Sequence, residues 1–132
     1  MIFLDTSAIY AMANAADPNH DTATERFRAA LGAGEEILIH NYVLVESMAL
    51  LQRRLGTETA MRFARDSQAF LVEWVDERLH GEAVRHLARA GKRQVSLVDQ
   101  VSFLVMRRRQ VKMALAFDED FEVEGFTLFG SG

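Results

Sequence analysis

Short apolar segments alternate with longer helical patterns along almost the whole chain, and this alternation limits the folds open to it. Apolar runs of strand length lie at 2–4, 37–39, 70–75, 113–117 and 126–129. Between these runs, apolar residues recur at the spacing of a helix that packs on one face. Strands and helices in this order form a mainly parallel sheet covered on both faces. The sequence therefore predicts a three-layer α/β/α domain with a central sheet of four to five strands.

The helical segments have recognisable ends. We predict helices at 8–14, 41–55, 58–68, 77–90 and 96–109. A further helix follows the first one and ends at about residue 31. Asn41 and Ser96 are of the residue types that cap helix N-termini. Gly32, Gly56 and Gly91 each follow a helical segment and favour its end. These signals divide the chain into compact elements joined by short turns.

The composition is that of one domain without a membrane segment. A chain of 132 residues with 49 % hydrophobic residues can bury a core, and no linker or repeat divides it. We therefore expect a single domain over residues 1–132. The lack of cysteine excludes disulfides and thiolate chemistry and fits the cytoplasm, where we expect the protein to act. No apolar run approaches the ~18 residues of a spanning helix, and the N-terminus lacks the basic region of a signal peptide.

Four acidic residues lie at the ends of predicted strands or early in predicted helices. Asp5 ends the first strand, and Asp118 follows the fourth. Asp99 lies in the first turn of the helix that Ser96 opens, and Glu46 lies one turn into the helix that starts at residue 41. In parallel α/β sheets the functional crevice lies beyond the carboxyl ends of the strands. Clustered carboxylates repel one another unless protons or cations are present, and oxygen ligands suit Mg²⁺ or Mn²⁺.

Each acid also has an explanation without function. The segment from Ser96 to Asp99 matches a capping box, in which Asp99 only binds backbone N–H groups at the start of its helix. Helical phase places Glu46 opposite the apolar stripe, as for a solvated glutamate. Asp118 and its neighbours match a turn or a helix start. Asp5 is harder to explain this way, because a carboxylate that ends a buried strand needs partners.

The order of these acids and their neighbours resembles a PIN domain. The segments that carry the resemblance are Asp5-Thr6-Ser7, Asn41-Tyr42-Val43-Leu44-Val45-Glu46, Arg54-Leu55-Gly56, Ser96-Leu97-Val98-Asp99, and Phe117-Asp118-Glu119-Asp120-Phe121 with Gly125-Phe126. Together they span nearly the whole chain. In its length and in having no further domain, the chain is similar to the VapC-type toxins of this family.

The resemblance implies a ribonuclease that depends on Mg²⁺ or Mn²⁺. The carboxylates of Asp5, Glu46, Asp99 and Asp118 would hold the metal, and a metal-activated water would attack an RNA phosphodiester. The resemblance also implies a cognate antitoxin protein and a homodimer. Two rival readings stay open: a metal-dependent phosphatase or DNA nuclease, and a catalytically weak PIN scaffold that acts by binding a partner.

Four further positions qualify this ligand set. A small hydroxyl residue near the first aspartate orients the carboxylates in this family, a role that would fall to Thr6 or Ser7. The chain departs from the family pattern at Ala116, where Thr or Ser is usual, and at Asp120, where His is frequent. Asp120 is therefore a candidate fifth metal ligand.

Basic residues form clusters although the net charge is −4. An acidic pocket repels phosphate, so cations at its rim must hold the RNA. The clusters are Arg53 with Arg54, Lys92 with Arg93, and Arg107 to Arg109 with Lys112. Cations at helix C-termini are also favoured by the helix dipole, whatever the function. We expect Arg53 and Arg54 to contact RNA, because they lie on the same helix as Glu46.

Overall fold

A five-stranded parallel sheet forms the centre of the molecule. The structure, a computed structural model, describes residues 1–91 and 93–131. Strands β1 to β5 are Ile2–Leu4, Ile37–His40, Leu71–Glu73, Met113–Leu115 and Thr127–Leu128. They lie in the order β3-β2-β1-β4-β5, and every neighbouring pair is parallel. The predicted fold, a mainly parallel sheet flanked by helices, is confirmed.

The helices occupy the segments between the strands, close to the predicted positions. Helices α1 to α7 are Thr6–Ala13, His20–Gly32, Asn41–Leu55, Thr57–Asp66, Glu77–Arg89, Leu97–Arg108 and Asp120–Val123, and Ser67–Ala69 forms a 3-10 turn. The sequence around Asp118 matched either a turn or a helix start, and the structure shows that a short helix, α7, starts there. No helix in the described part of the chain is long and apolar enough to cross a membrane.

Strand β1 and helix α6 are largely buried in the core of the domain. All three residues of β1 are buried, and β1 has β2 and β4 as its neighbours. In α6, residues 100–106 are all buried. A helix that is apolar on all sides belongs in the interior of a domain. The first turn of α6 and the end of β1 are thus held by core packing, and both carry an acidic residue.

The cap of α3 differs from the prediction. His40, not Asn41, is the N-cap residue, and its Nδ1 accepts a hydrogen bond from the Val43 N–H at 3.2 Å. Asn41 is the first helical residue, and its Oδ1 instead accepts from the Val75 N–H at 2.6 Å. The prediction failed because a buried histidine at the end of β2 satisfies the helix N-terminus, which leaves the Asn41 side chain free to bind the β3 side.

Two strands are shorter than their apolar runs because side chains take over the backbone hydrogen bonds. The run at 70–75 forms a strand only at Leu71–Glu73, and the Val75 N–H binds the Asn41 side chain. The run at 113–117 ends as a strand at Leu115, and the Phe117 N–H donates to Ser7 Oγ at 3.0 Å. In both places the chain leaves the sheet at its carboxyl edge.

Candidate active site

Asp5 is a buried carboxylate at the junction of β1 and α1. It is 4 % exposed and is the N-cap of α1. Its Oδ2 accepts hydrogen bonds from the Ser7 N–H at 3.1 Å and from Ser7 Oγ–H at 2.6 Å. Ser7 Oγ in turn accepts from the Phe117 N–H. Ser7 therefore fixes the Asp5 carboxylate to the chain that leaves β4.

Burial makes Asp5 reluctant to ionise. Removal from water raises its pKa to about 6, although both hydrogen bonds from Ser7 act in the opposite direction. The negative charges of Asp118 and Glu46 raise the pKa further. These electrostatic contributions show that carboxylates from distant parts of the sequence act on the same point.

Asp99 lies in the first turn of α6 and faces the same group of acids. Burial raises its pKa to about 7, with further contributions from the charges of Asp5, Asp118 and Glu46. A hydrogen bond between the Asp99 and Asp118 side chains adds to the increase, because such a bond requires a proton on one of them. Asp99 is thus close enough to the other three acids to feel the charge of each.

The capping explanation for Asp99 accounts for its backbone but not for its side chain. Ser96 Oγ accepts from the Asp99 N–H at 3.1 Å, so Ser96 is the N-cap of α6 as predicted. The reciprocal half of a capping box is a bond from the Ser96 N–H to the Asp99 carboxylate. Among the described hydrogen bonds that bond is absent, and the carboxylate points to Asp118 instead.

Asp118 and Asp120 extend the cluster on the β4 side. Carboxylate oxygens of Asp99, Asp118 and Asp120 all lie within 4.8 Å of one another. Asp118 Oδ1 accepts from the Asp120 N–H at 2.9 Å, which holds these two residues in a fixed relation. Asp120, in the position where the family often has His, thus lies beside two of the expected ligands.

Glu46 is the exposed member of the group. It lies on α3 and is exposed, as the solvated-glutamate explanation predicted. Its charge nevertheless raises the pKa of both Asp5 and Asp99. Glu46 therefore lies on the solvent side of the pocket that these two residues line.

The two hydroxyl residues after Asp5 have separate tasks. Ser7 binds the Asp5 carboxylate, whereas Thr6 Oγ1 accepts a buried hydrogen bond from Ser47 Oγ at 3.1 Å. Thr6 thereby joins α1 to α3, the helix that carries Glu46. Ala116, at the position where the family usually has Thr or Ser, is buried, and the N–H of the next residue, Phe117, donates to Ser7 Oγ.

The sequence analysis did not single out His40, a buried histidine at the end of β2. The Nδ1 of His40 accepts from Val43, so Nε2 carries the proton and donates to Ser102 Oγ at 2.9 Å. Ser102 Oγ then donates to the Val98 carbonyl at 3.0 Å. Burial lowers the His40 pKa to about 3, so the ring stays neutral. No local signal reveals this contact, because His40 and Ser102 are 62 residues apart.

The basic clusters lie at different distances from the acids. Arg53 and Arg54 are exposed in the last turn of α3, about 10 Å along the helix axis from Glu46 at 1.5 Å per residue. Arg108 and Arg109 form ion pairs with Glu82 and Glu73. Arg93, by contrast, contacts the acidic cluster itself through Asp120. Lys92, which forms a basic cluster with Arg93 in the sequence, lies outside the described residues.

A separate apolar cavity of about 330 Å³ lies on another part of the surface. Residues of α1, α2, α3 and α4 line it, among them Met12, Phe27 and Phe63. None of the four clustered acids is among its lining residues. The cavity is therefore distinct from the acidic pocket.

The donor set of the acidic pocket fits a hard divalent cation. Asp5 and Asp99 have raised pKa values, and neither takes part in an ion pair within the described part of the chain. Carboxylates in this situation gain most from a bound cation, because it removes both the mutual repulsion and the cost of burial. Oxygen-only ligands favour ions such as Mg²⁺ and Mn²⁺ over softer metals.

Comparison with known proteins identifies the class to which this site belongs. A PIN domain matches residues 2–125, and the chain belongs to the PIN domain family. The resemblance carried by the ordered acids is thereby confirmed. Nucleases of this family use divalent metals, in agreement with the acidic donor set.

The chain is also similar to individual characterised proteins. It is 40 % identical to the 23S rRNA-specific endonuclease VapC20 of Mycobacterium tuberculosis, from strains CDC 1551 / Oshkosh and ATCC 25618 / H37Rv. The alignment covers 128 residues, which are 96 % of this chain and 95 % of the relative. The crystal structure of M. tuberculosis VapC20, a Sarcin-Ricin loop cleaving toxin, matches with a TM-score of 0.84 and 38 % identity over 96 % of this chain and 97 % of that one.

Proposed function

We propose that this protein is a metal-dependent endoribonuclease of the VapC toxin type that cleaves 23S rRNA within the sarcin-ricin loop. The observation that carries the proposal is the meeting of Asp5 and Asp99, two carboxylates with raised pKa values, with Asp118 at the carboxyl edge of the sheet. The 40 % identity to a ribonuclease toxin along nearly the whole chain supports the same conclusion.

The metal ligands are assigned from the geometry of the acids. Asp5 and Asp99 bind the principal Mg²⁺ or Mn²⁺ ion, because burial and the neighbouring acids raise their pKa values and a bound cation offsets both effects. Glu46 and Asp118 complete the pocket, and Asp120 is the fifth ligand on the β4 side. A divalent ion held in such a pocket lowers the pKa of a bound water and neutralises charge on the phosphate that is cleaved.

The chain's own side chains supply orientation. Ser7 orients the Asp5 carboxylate by two hydrogen bonds that favour its ionised form, and the bond from the Asp120 N–H to Asp118 orients the Asp118 carboxylate. No protein nucleophile is required, because water is the attacking group. Arg53 and Arg54 on the exposed end of α3 contact RNA further from the cut site.

The RNA target follows from the relatives. One is named for 23S rRNA specificity and its structure for cleavage of the Sarcin-Ricin loop. We therefore also propose that the protein acts in the cytoplasm. Recognition of a structured loop by shape and unpaired bases is the usual mode for sequence-specific RNA binding.

A cleavage assay on ribosomes tests the function directly. Purified protein is incubated with 70S ribosomes in Mg²⁺, in Mn²⁺ and in EDTA, and the 23S rRNA is mapped by primer extension. We expect one cut within the loop, with either ion and not with EDTA. Asp99→Asn is the inactive control, and Glu119→Gln, an exposed acid beside the pocket, is the matched active one.

Other substrates separate the rival functions. Cleavage of duplex DNA or of a small phosphate monoester at a comparable rate would contradict the RNA assignment. Metal binding without cleavage of any RNA would instead favour a scaffold that acts through a partner. Both results are read in the same preparation, so that protein quality does not confuse them.

The protein also has two proposed protein partners. A cognate antitoxin with a basic tail would complement the acidic pocket, and its addition should inhibit cleavage at a stoichiometric ratio. A second copy of the chain is the other partner. Val45 and Trp74 are 68 % and 69 % exposed, and large apolar side chains at such exposure are frequent in interfaces. Light scattering of the purified chain should give the mass of a dimer, and Trp74→Ser should shift it towards the monomer.

A further inference from the structure

RNA that enters the acidic pocket needs a basic side chain close to the cut site to hold it. The positions and ion pairs of the arginines show which of them are candidates. Each phosphate of RNA is negative, so the unneutralised part of the pocket repels the strand on both sides of the cleaved bond. Arg53 and Arg54 lie about 10 Å along α3 from Glu46. Arg108 and Arg109, at the far end of α6 from Asp99, are already paired with glutamates.

Arg93 is one carboxylate group away from the expected metal ligands. Its Nη2 lies 3.4 Å from Asp120 Oδ1 and 3.4 Å from the Asp120 carbonyl oxygen. Asp120 itself lies within 4.8 Å of Asp99 and Asp118, measured between carboxylate oxygens. Both contacts to Asp120 are long for charge-assisted hydrogen bonds, in which the nitrogen and oxygen atoms are normally about 2.7 to 2.9 Å apart. Arg93 is therefore at the pocket rim and only weakly bound to the acid beside it.

A second carboxylate orients Arg93 without using up its donors. Glu124 accepts from Arg93 Nη1 and from Arg107 Nη2, so it bridges two arginines. Burial acts to raise the Glu124 pKa, but the hydrogen bonds from Arg107 and Arg93 hold it below its ordinary value, and Glu124 stays charged. A guanidinium has five N–H groups. The three bonds from Arg93 to Glu124 and Asp120 leave at least two of them available, on a side chain that is 34 % exposed.

We propose that Arg93 is an RNA-binding residue of this nuclease, which holds the backbone phosphate next to the cleaved one and exchanges its weak contact with Asp120 for that phosphate. The inference rests on the proposed function. A planar guanidinium pairs with two phosphate oxygens at once, which a single ammonium group does not do. Glu124 keeps the guanidinium at the rim during the exchange, and Asp120 is released towards Asp99 and Asp118.

The test measures RNA binding separately from cleavage. All proteins carry Asp5→Asn so that the RNA stays intact, and the probe is a fluorescein-labelled stem-loop with the sarcin-ricin sequence, in Mg²⁺ over a range of salt concentrations. Arg93→Gln should raise the Kd about ten-fold or more, as for loss of a charged hydrogen bond. It should also make the salt dependence shallower by about 0.7 to 0.9 in the log–log slope, the value for one phosphate contact.

Two further variants separate phosphate binding from general effects of charge. Arg108→Gln removes the same charge and also breaks an ion pair with a glutamate, Glu82, but away from the pocket. We expect its Kd to stay within two-fold of the reference. Arg93→Lys keeps the charge and should retain the salt slope while losing part of the affinity, because a lysine does not reproduce the bidentate contact.

A metal titration distinguishes binding of RNA from support of Asp120. In the otherwise unmodified chain, the thermal shift produced by Mn²⁺ alone should be no smaller for Arg93→Gln than for the wild type, because the change removes a positive charge beside Asp120. A reduced shift would overturn the proposal, since Arg93 would then act through the metal site. Equal Kd and slope for Arg93→Gln, in a protein that binds and cleaves RNA before these changes, would overturn it as well. If the starting protein neither binds nor cleaves RNA, the proposed function fails and this inference fails with it.

Discussion

Ser7 links the charge of Asp5 to the position of the chain after β4. Its hydroxyl donates to Asp5 Oδ2 and accepts from the Phe117 N–H. Ser7→Ala removes a bond that favours the ionised carboxylate, so the Asp5 pKa should rise above about 6. If Asp5 binds metal as a carboxylate, as proposed, the pH profile of cleavage should move to higher pH. The Phe117 N–H also loses its partner, at a cost of about 1 to 3 kcal/mol.

The matched control for Ser7→Ala is Ser131→Ala, which removes an exposed hydroxyl that donates to the Leu128 carbonyl. Its pH profile and free energy of unfolding should match those of the wild type. A pH profile of Ser7→Ala that superposes on the wild-type profile would mean that Ser7 only supports the fold.

Asp99 distinguishes a functional carboxylate from a helix cap. Its pKa of about 7 means that the ionised form is disfavoured in the folded protein without metal. Asp99→Asn should therefore abolish cleavage, yet leave the free energy of unfolding unchanged or slightly higher in EDTA. A cap role would instead make the variant less stable by about 0.5 to 2 kcal/mol. Urea unfolding in EDTA, with the cleavage assay beside it, decides between them.

The sequence predicts residues best where a local pattern carries the information. Ser96 was predicted as a cap and is one, because a serine before an apolar helical run needs no distant partner. Asn41 was predicted as a cap and is not, because His40 is buried at that point by contacts with Ser102. Long-range hydrogen bonds of this kind leave no trace in spacing or periodicity.

At the scale of elements, α3 and α6 are joined by one hydrogen-bonded chain. His40 caps α3 through Val43 and binds Ser102 of α6, which binds the Val98 carbonyl one residue before Asp99. The helices that carry Glu46 and Asp99 are thereby fixed to each other through the end of β2. Parallel strands bring their carboxyl ends together, but this buried contact sets the distance between the helices that follow them.

Breaking that contact should loosen the metal site as well as the fold. His40→Ala leaves the Val43 N–H and the Ser102 hydroxyl without their partner, and we expect a loss of about 2 to 4 kcal/mol in the free energy of unfolding. Ser102→Ala should cost about 1 kcal/mol, and the double variant should cost less than the sum, with a coupling of roughly 0.5 to 3 kcal/mol.

The apparent affinity for Mn²⁺ should fall in Ser102→Ala, because Glu46 and Asp99 are then held less rigidly. Ser67→Ala is the control, since it removes a hydroxyl whose hydrogen bond to the Ala64 carbonyl is local and belongs to the α4 end. Equal Mn²⁺ affinity in Ser102→Ala and the wild type would show that the hydrogen bond between His40 and Ser102 supports stability alone.

The element scale also explains which parts of the site were predictable. The end of β1, the start of α6 and the end of β4 must meet at one sheet edge in a parallel α/β fold, so Asp5, Asp99 and Asp118 were found from topology. Their neighbour Asp120 was found from a family position. The importance of Arg93 was not clear from sequence, because its contacts to Asp120 and Glu124 depend on the path of the loop before α6.

At the scale of the whole molecule, the distribution of charge matters more than the net charge of −4. Several arginines are already paired with acids: Arg93 and Arg107 with Glu124, Arg108 with Glu82, and Arg109 with Glu73. The pocket acids have no such partners among the described ion pairs, apart from Asp120. The excess negative charge is thus concentrated at the pocket where we propose that a divalent cation and RNA bind.

This concentration of charge gives the metal-free protein a characteristic pH dependence. Asp5 and Asp99 have folded-state pKa values of about 6 and about 7, raised above the ordinary aspartate value of 3.8. A carboxyl group with a raised pKa does not reduce the stability below its unfolded-state pKa, where it is protonated in both states. The loss of stability grows as pH rises from the unfolded-state pKa to the folded-state pKa. In EDTA, the stability of the wild type relative to Asp99→Asn should therefore fall between about pH 4 and about pH 7. We expect the change to be about 1 to 3 kcal/mol.

Saturating Mg²⁺ or Mn²⁺ should reverse this trend in the wild type. A ligand that binds only the folded state stabilises it by RT ln(1 + [L]/Kd), about 2.7 kcal/mol at a hundred times the Kd. The gain should increase from pH 5 to pH 8, because the metal competes with protons for Asp5 and Asp99. Asp99→Asn should show little gain at any pH, whereas Glu119→Gln should behave as the wild type. Thermal melts with and without metal across this range give the measurement. An equal metal-induced gain in Asp99→Asn at every pH would place the cation elsewhere and remove the basis for assigning the metal to this pocket.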